Sequence, residues 1–258
     1  MKYIINTKFR FYQNEEITAL GNLKVGSRFL DNYFQVENHE NEIHYTDEGN
    51  FIDIKSYREG MFQQKFQPIY NLLENKDSRK VFLIYRNPIM RIQSAFSMFF
   101  LEWLKQSLNI ELVPLSVASR EYLLHHYWGT DDLGNHTKMP HEVLSELFPY
   151  MERFVNYFAT KKIDDQHVTN YLHIWNELAN KIKIKNADKL NLINIDEQRL
   201  EKVFNTDSPK KGGQIINFKS DPLIKEHFKD MILNNKIIIN IISSEVFHFN
   251  NLEKIRNG

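Results

Sequence analysis

The pattern of hydrophobic and polar positions is clearest over residues 81–104. Five consecutive apolar or aromatic residues, Val81 to Tyr85, predict a strand buried on both faces, as in the central strands of parallel sheets. Asn87 is a favourable N-cap and Pro88 suits the first position of a helix. Apolar residues then recur at helical spacing at Ile89, Ile92, Phe96, Phe99, Phe100, Trp103 and Leu104. The pattern therefore predicts a buried strand that ends at Arg86 and leads directly into a helix.

A second strand-loop-helix pattern lies near the start of the chain. Residues 17–20 read as a short strand, residues 21–28 as a loop that contains Lys24, and the residues after Arg28 as a helix. Backbone N–H groups at such a loop and helix start bind phosphate. Gly21 and Gly26 have the spacing of a P-loop, but Ser27 and Arg28 stand where that motif has lysine and Ser/Thr. The departure weakens a kinase or ATPase interpretation and leaves the phosphate-binding interpretation in place.

Alternating strands and helices continue along the chain. A strand over residues 42–48 ends in two carboxylates, and a strand over 190–195 is followed by Asp196, either a magnesium-binding carboxylate or, as we favour, an acid at a helix start. Helices are predicted over residues 116–124, 141–160 and 171–182, and residues 237–242 fit a buried helix or an edge strand. We therefore predict a P-loop-like three-layer α/β fold with a central, mainly parallel sheet flanked by helices.

Composition and charge narrow the classes of function. The chain of 258 residues has 42% hydrophobic residues and a formal net charge of zero, so no global field favours nucleic acid or an anionic membrane as a partner. The absence of cysteine excludes disulfides, thiolate metal sites and cysteine nucleophiles. Histidines between residues 125 and 141 lack the spacing of a metal site. Residues 1–17 have no apolar core, and no apolar run reaches ~18 residues, so we expect neither a signal peptide nor a membrane anchor and predict a cytoplasmic protein.

Three segments combine cations, glycines and hydroxyls as an anion site requires: residues 24–30 (KVGSRFL), residues 85–96 (YRNPIMRIQSAF) and residues 210–213 (KKGG). In this combination the chain resembles the sulfotransferases that use 3′-phosphoadenosine 5′-phosphosulfate (PAPS). The second segment is the specific match, because arginine, proline and a serine eight residues after the arginine occur together in a strand-to-helix context. The resemblance covers residues 17–100 and, less closely, 160–215.

The resemblance implies one sulfotransferase-like domain over residues 1–258, with residues 105–160 a helical insertion on the acceptor side. It implies a metal-free transfer of the sulfuryl group of PAPS to a hydroxyl or amine of an unidentified acceptor, with a carbohydrate as one expected class, leaving adenosine 3′,5′-bisphosphate. The segment Asp165-Gln166-His167 resembles the Asp-x-His segment of carbohydrate sulfotransferases, but it lacks the tryptophan, proline and glutamine expected after it.

The resemblance also assigns residues to roles. The 5′-phosphosulfate is expected at Lys24, Val25, Gly26, Ser27, Arg28 and Phe29. The 3′-phosphate is expected at Arg86 and Ser94, closed over by Lys210, Lys211, Gly212 and Gly213. Lys24 also stabilises charge on the leaving group, and the general base is expected to be Glu48, with Asp47, His44 and His167 as alternatives. Two rival hypotheses are a P-loop-type kinase of nucleotides or small molecules and a non-catalytic nucleotide-binding protein on the same fold.

Overall fold

The structure is a computed structural model that describes residues 5–21, 27–36, 41–46, 51–53, 67–74, 76–109, 111–123, 140–160, 171–206 and 222–258. Its internal contacts divide the chain into two compact units. Unit 1 comprises Met1–Arg91, Asp164–Pro209 and Ile242–Gly258, and unit 2 comprises Ile92–Ile163 and Lys210–Ile241.

Six strands form one sheet in unit 1. In chain order they are β1 (Ile5–Gln13), β2 (Ile17–Gly21), β3 (Glu42–Thr46), β4 (Phe51–Asp53), β5 (Lys80–Tyr85) and β6 (Leu190–Asn194). The order across the sheet is β4-β3-β1-β2-β5-β6. The pairs β2/β5 and β5/β6 are parallel, whereas β1/β2, β1/β3 and β3/β4 are antiparallel. The α/β class is thus confirmed, and the predicted mainly parallel sheet is corrected to a mixed one.

The mixed character of the sheet comes mainly from β1, which the sequence pattern did not predict. Its sequence, INTKFRFYQ, alternates polar and apolar residues only from Lys8 to Phe11, a short strand signal that ends at Tyr12. The structure shows why a charge is tolerated there. Arg10 is buried, and its Nη1 donates to Oδ2 of Asp31 at 2.6 Å.

The helices that the structure describes are α1 (Ser27–Tyr33), α2 (Gln67–Leu73), α3 (Pro88–Leu108), α4 (Val117–Leu123), α5 (His141–Thr160), α6 (Leu172–Asn186), α7 (Leu200–Val203), α8 (Pro222–Asn234) and α9 (Lys236–Asn257). The predicted helices after residues 28, 88, 116, 141 and 171 are confirmed, and residues 237–242 belong to a helix. No described helix is long and apolar enough to cross a membrane.

Side chains on both faces of the sheet are covered, as the uninterrupted apolar sequence of β5 predicts. Val81, Leu83 and Tyr85 pack into a core with residues of α2, α6 and α9, which we call the α6 face. Phe82 and Ile84 point to the other side and pack with residues of α1 and α7, which we call the α1 face. The strict alternation of β5 between two apolar cores is what makes this strand central.

Helix α1 is fastened to the sheet by polar contacts as well. The carboxylate of Asp31 accepts from Arg10 through Oδ2 and from the hydroxyl of Tyr12 through Oδ1 at 2.8 Å, so one acid joins α1 to two residues of β1. Burial and the bond to Asp31 raise the pKa of Tyr12 far above its usual value, which keeps the phenol protonated as a donor. The chain that leaves β2 therefore returns to a fixed position on the α1 face.

Unit 2 has an aromatic core of its own. Its described helices are most of α3, together with α4, α5, α8 and the first residues of α9. Phe96 and Phe100 of α3 pack edge-on against Phe154 of α5, with ring centroids 5.3 and 5.7 Å apart, and against Phe228 of α8. The amide of Gln93 donates to the backbone carbonyl of Lys225. The helices predicted for residues 105–160 thus belong to a packed helical unit.

The N-cap that the sequence predicts for α3 is present in the structure, and its contribution to stability can be measured. Oδ1 of Asn87 accepts from the backbone N–H of Ile89 at 2.9 Å. We expect Asn87→Ala to lower the free energy of unfolding by about 1 kcal/mol, because an N–H of the first turn loses its acceptor. Asn87→Ser keeps an acceptor and should cost less. Urea unfolding of the three proteins measures the difference, and equal midpoints for Asn87→Ala and the parent chain would contradict the assignment.

Candidate functional site

Three parallel strands end at the same edge of the sheet in unit 1. Leu20 of β2 pairs with Leu83 of β5, and Tyr85 of β5 pairs with Asn194 of β6, so the carboxyl ends of the three strands lie side by side. Arg86 follows β5, and Asp196 follows β6 by two residues. In open α/β sheets this edge is where ligands bind. It is therefore the candidate site.

The centre of the described part of this edge is an ion pair between Arg86 and Asp196. Nε of Arg86 donates to Oδ1 of Asp196 at 2.8 Å, and the side chains are only 18% and 16% exposed. The other carboxylate oxygen, Oδ2, accepts from the backbone N–H of Asn87 at 2.9 Å. One carboxylate thus holds both the guanidinium and the start of the segment that leads into α3.

A second polar cluster involves the last residues of β5 and β6, Tyr85 and Asn194, and Tyr85 belongs to the α6 face of the sheet. Glu253 of α9 accepts through Oε1 from the hydroxyl of Tyr85 at 2.5 Å and from the amide of Asn194 at 3.3 Å. Its Oε2 accepts from Arg256 at 2.5 Å, and Arg256 also donates to Glu197 at 2.6 Å. Burial and the Glu253 bond raise the pKa of Tyr85 far above its usual value. The last residues of β5 and β6 are therefore tied to the same helix.

A third arginine, Arg91, lies in the first turns of α3 and is fully buried. Its Nη2 donates to Oε2 of Glu245 at 3.2 Å, and its guanidinium carbon lies 4.7 Å from the centroid of the Tyr171 ring. Oε1 of Glu245 accepts from the backbone N–H of Leu172 at 3.1 Å. Burial raises the pKa of Glu245 to about 7, although the Arg91 charge and this N–H act in the opposite direction. The cluster joins the beginnings of α3 and α6 to α9.

The predicted donor-binding residues are described only in part. Ser27 and Arg28, predicted as the last residues of the loop, are the first two residues of α1, and Ser94 lies partly buried in α3, within unit 2. The ring of Phe29 packs in the core of the α1 face, with its centroid 6.1 Å from that of Tyr33 and 5.9 Å from that of Phe204. The predicted residues outside the described part of the chain are Lys24, Val25, Gly26, Lys210, Lys211, Gly212 and Gly213.

The candidates for the general base are also incompletely described, since Asp47, Glu48 and His167 lie outside the described residues. His44 belongs to β3, where it pairs with Lys8 and Ile52. Strand β3 is antiparallel to β1, which is antiparallel to β2, so β3 does point its carboxyl end in the same direction as β2. Residues that follow β3 therefore leave the sheet in the same direction as those that follow β2.

The register adds an offset that the sequence did not indicate. Arg10 of β1 pairs with both Gly21, the last residue of β2, and Glu42, the first residue of β3. The carboxyl end of β3 thus lies beyond the level of Gly21 by four residues, or about 13 Å at the usual rise of a strand. Assignment of the base to Glu48 or Asp47 stays a prediction.

The contacts that sequence reasoning missed are the carboxylate partners of the arginines. Asp31, Asp196 and Glu245 are separated from their arginines by 21, 110 and 154 residues. For Asp196 a signal existed, because an acid after a parallel strand next to β5 must come near Arg86, but it required knowledge of the strand order. For Glu245 the signal was an isolated acid in a stretch of α9, residues 237–252, that contains no other Asp, Glu, Lys or Arg.

The described residues contain no group of three or more histidines, aspartates or glutamates that could hold a metal ion. Comparisons of the chain with protein-family models, with curated proteins and with solved structures found no match. The geometry therefore defines a class of site, an arginine-centred edge of an α/β sheet, and interpretation of its function depends on the residues themselves.

The raised pKa of Glu245 predicts a pH dependence of stability. In the folded protein this group holds its proton up to a pKa of about 7, against a usual value of 4.5. Between these values the folded state binds more protons than the unfolded state, so the contribution of Glu245 to stability falls as pH rises and is level above both values. The loss is at most about 1.4 kcal/mol per pH unit.

We expect the free energy of unfolding of the parent chain, measured relative to Glu245→Gln, to decline from pH 5 to pH 7 and then to stay constant. Urea unfolding at half-unit intervals of pH provides the measurement. Glu226→Gln, at an exposed position of α8, serves as the control for the removal of one carboxylate from the surface. A difference between parent and Glu245→Gln that does not change over this range would show that Glu245 is not protonated in the folded protein near neutral pH.

Proposed function

We propose that the protein is a PAPS-dependent sulfotransferase on a P-loop-like α/β fold. The observation that carries the proposal is the parallel pairing of β2 with β5, which brings the carboxyl ends of two strands together. Each strand is followed by a helix. The segments KVGSRFL and YRNPIMRIQSAF, which resemble the donor-binding motifs of these enzymes, begin at or shortly after the end of each strand and extend into the helix that follows it. Two such connections at one edge would hold the two separate phosphate groups of one nucleotide.

The roles in donor binding follow from the chemistry of each segment. Residues 24–29 would hold the 5′-phosphosulfate through backbone N–H groups and the Lys24 ammonium. Arg86 and Ser94, on the continuous segment from β5 into α3, would hold the 3′-phosphate, and residues 210–213 would close over it. Arginine suits this role because its planar guanidinium binds two phosphate oxygens at once.

The reaction is an in-line displacement at sulfur. A lone pair of the acceptor hydroxyl or amine forms a bond to sulfur, while the bond from sulfur to the bridging oxygen breaks and its electron pair stays on the 5′-phosphate of adenosine 3′,5′-bisphosphate. Lys24 stabilises the negative charge that develops on this oxygen. The acceptor proton passes to a general base, for which Glu48 is our first candidate and Asp47, His44 and His167 are alternatives.

The contacts of Asp196 favour this proposal over a magnesium-dependent kinase. A kinase on this type of fold requires a carboxylate after a neighbouring strand to serve the metal ion. Asp196 stands at that position, but both of its oxygens already accept hydrogen bonds, from Arg86 and from the N–H of Asn87. Its surroundings are those of a partner for an arginine.

Nucleotide selectivity tests the proposed class of enzyme. By titration calorimetry we expect adenosine 3′,5′-bisphosphate to bind and ATP with Mg²⁺ to bind far more weakly, because the site is predicted to recognise a 3′-phosphate. Transfer of labelled sulfate from PAPS to a panel of sugars, phenols and amines then separates an enzyme from a non-catalytic nucleotide-binding protein. Binding of ATP with Mg²⁺ in the absence of binding of the bisphosphate would support the kinase instead.

Alanine substitutions test the assignment of the 3′-phosphate. Arg86→Ala and Ser94→Ala should each weaken the binding of adenosine 3′,5′-bisphosphate by about 2 kcal/mol, the usual value of a hydrogen bond to a charged group. Adenosine 5′-phosphosulfate, which lacks the 3′-phosphate, should be nearly unaffected.

Two matched controls are available within the same elements. Arg79 precedes β5 at the opposite end of the strand and pairs with Asp77, and the hydroxyl of Ser97 in α3 donates to the carbonyl of Gln93. Arg79→Ala and Ser97→Ala should leave the affinity for both nucleotides unchanged. Equal losses for the two nucleotides in Arg86→Ala or Ser94→Ala would place these residues outside the 3′-phosphate site.

A further inference from the structure

Asp196 holds the Arg86 side chain by the atom that sets its orientation. The bond from Oδ1 reaches Nε, the nitrogen that connects the guanidinium to the aliphatic part of the side chain. Fixing Nε in a bond of 2.8 Å fixes the plane of the whole group and the direction of its outer edge, the edge with which arginines bind phosphate oxygens in pairs.

Asp196 is itself held in place by its own turn. Its backbone N–H donates to Oδ1 of Asn194 at 3.1 Å, and the N–H groups of Glu197 and Gln198 donate to the backbone carbonyl of Asn194. The Asn194 amide donates to Glu253, and the N–H of Ile195 donates to the carbonyl of Tyr85. The carboxylate therefore stands on a turn that is fixed to both β5 and α9, and it can act as a rigid reference for Arg86.

The same carboxylate also sets the path of the backbone after β5. Oδ2 accepts from the N–H of Asn87, whose side chain caps α3. A change at Asp196 therefore affects the orientation of Arg86 and the entry into α3 together, and both belong to the proposed 3′-phosphate segment. Both oxygens of Asp196 are engaged, at 2.8 and 2.9 Å, and the side chains of the pair are less than one fifth exposed, so the geometry of Arg86 depends on this carboxylate.

We propose that Asp196 is a positioning residue of the anion site, which orients Arg86 for the 3′-phosphate of the nucleotide and neutralises its charge when the site is empty. This inference rests on the proposed function, since it assumes that Arg86 receives the 3′-phosphate. It assigns no metal to Asp196 and no direct contact with the nucleotide. Its negative charge opposes the phosphate, so the benefit of Asp196 must come from geometry.

The test compares nucleotides with and without the 3′-phosphate. The measured quantity is the ratio of the affinities for adenosine 3′,5′-bisphosphate and adenosine 5′-monophosphate, determined by calorimetry on the full chain. Asp196→Asn removes the charge and one of the two acceptor oxygens with little change of volume. We expect the ratio to fall about tenfold, as when one charge-assisted hydrogen bond is lost. Asp196→Glu keeps both acceptor oxygens and should recover part of the ratio.

Two further variants separate positioning from a general structural or electrostatic effect. Glu197→Gln removes the same charge one residue away, where the carboxylate binds Arg256, and should leave the ratio unchanged. In the Arg86→Ala background, Asp196→Asn should have no further effect on the ratio, because the residue through which Asp196 acts is gone. Urea unfolding identifies any variant that does not fold, in which case Asp196→Glu alone provides the comparison with the parent chain.

Each outcome decides the proposal. Equal weakening of both nucleotides by Asp196→Asn, a stronger binding of the bisphosphate, or a full effect in the Arg86→Ala background would overturn the positioning role while leaving the proposed function standing. A loss of ATP binding with Mg²⁺, without a change for the bisphosphate, would identify Asp196 as a metal ligand and also overturn it. Absence of bisphosphate binding by the parent chain would overturn the proposed function and this inference together.

Discussion

Burying a guanidinium group next to an apolar sheet requires a carboxylate at the same place, because an unpaired charge there would cost several kcal/mol. Among the described residues of unit 1, the buried Arg10 and Arg91 and the partly exposed Arg86 each have such a partner. Arg10 is paired with Asp31, Arg86 with Asp196 and Arg91 with Glu245. Each pair joins elements that are distant in the sequence: α1 to β1, the end of β5 to the turn after β6, and α3 to α9. The ion pairs thus locate the chain segments around the candidate site as well as compensating charge.

The strand order gives these pairs their functional meaning. Because β2, β5 and β6 are adjacent and parallel, the segments that follow them share one edge of the sheet. Hairpin β1/β2 and the antiparallel strands β3 and β4 extend the sheet on the other side, and β1 supplies the Arg10 and Tyr12 contacts that hold α1. The antiparallel strands therefore hold α1 in place next to the edge at which the three parallel strands end. The anion site that we propose lies at that edge.

Local patterns in the sequence predicted most of the strands and helices. They could not identify which residues from distant parts of the chain come into contact. The apolar run of β5, the Asn87 cap and the helical spacing after Pro88 are properties of neighbouring residues, and the structure reproduces them. Strand β1 was missed because its alternation covers only Lys8 to Phe11, and the distant Asp31 makes Arg10 acceptable in a buried strand. The partner of Arg86 was missed for the same reason. From the sequence alone, Asp196 was interpreted as an acid at the start of a helix. The pairing of β5 with β6 shows that it lies beside Arg86.

A crystal structure with adenosine 3′,5′-bisphosphate tests the central claim most directly, namely that Arg86, oriented by Asp196, is the centre of an anion site at this edge. The account predicts a 3′-phosphate oxygen within hydrogen-bonding distance of the Arg86 guanidinium, with the bond from Nε to Asp196 retained. A nucleotide bound away from the ends of β2 and β5, or an Asp196 that has left Arg86 to coordinate a metal ion, would contradict it.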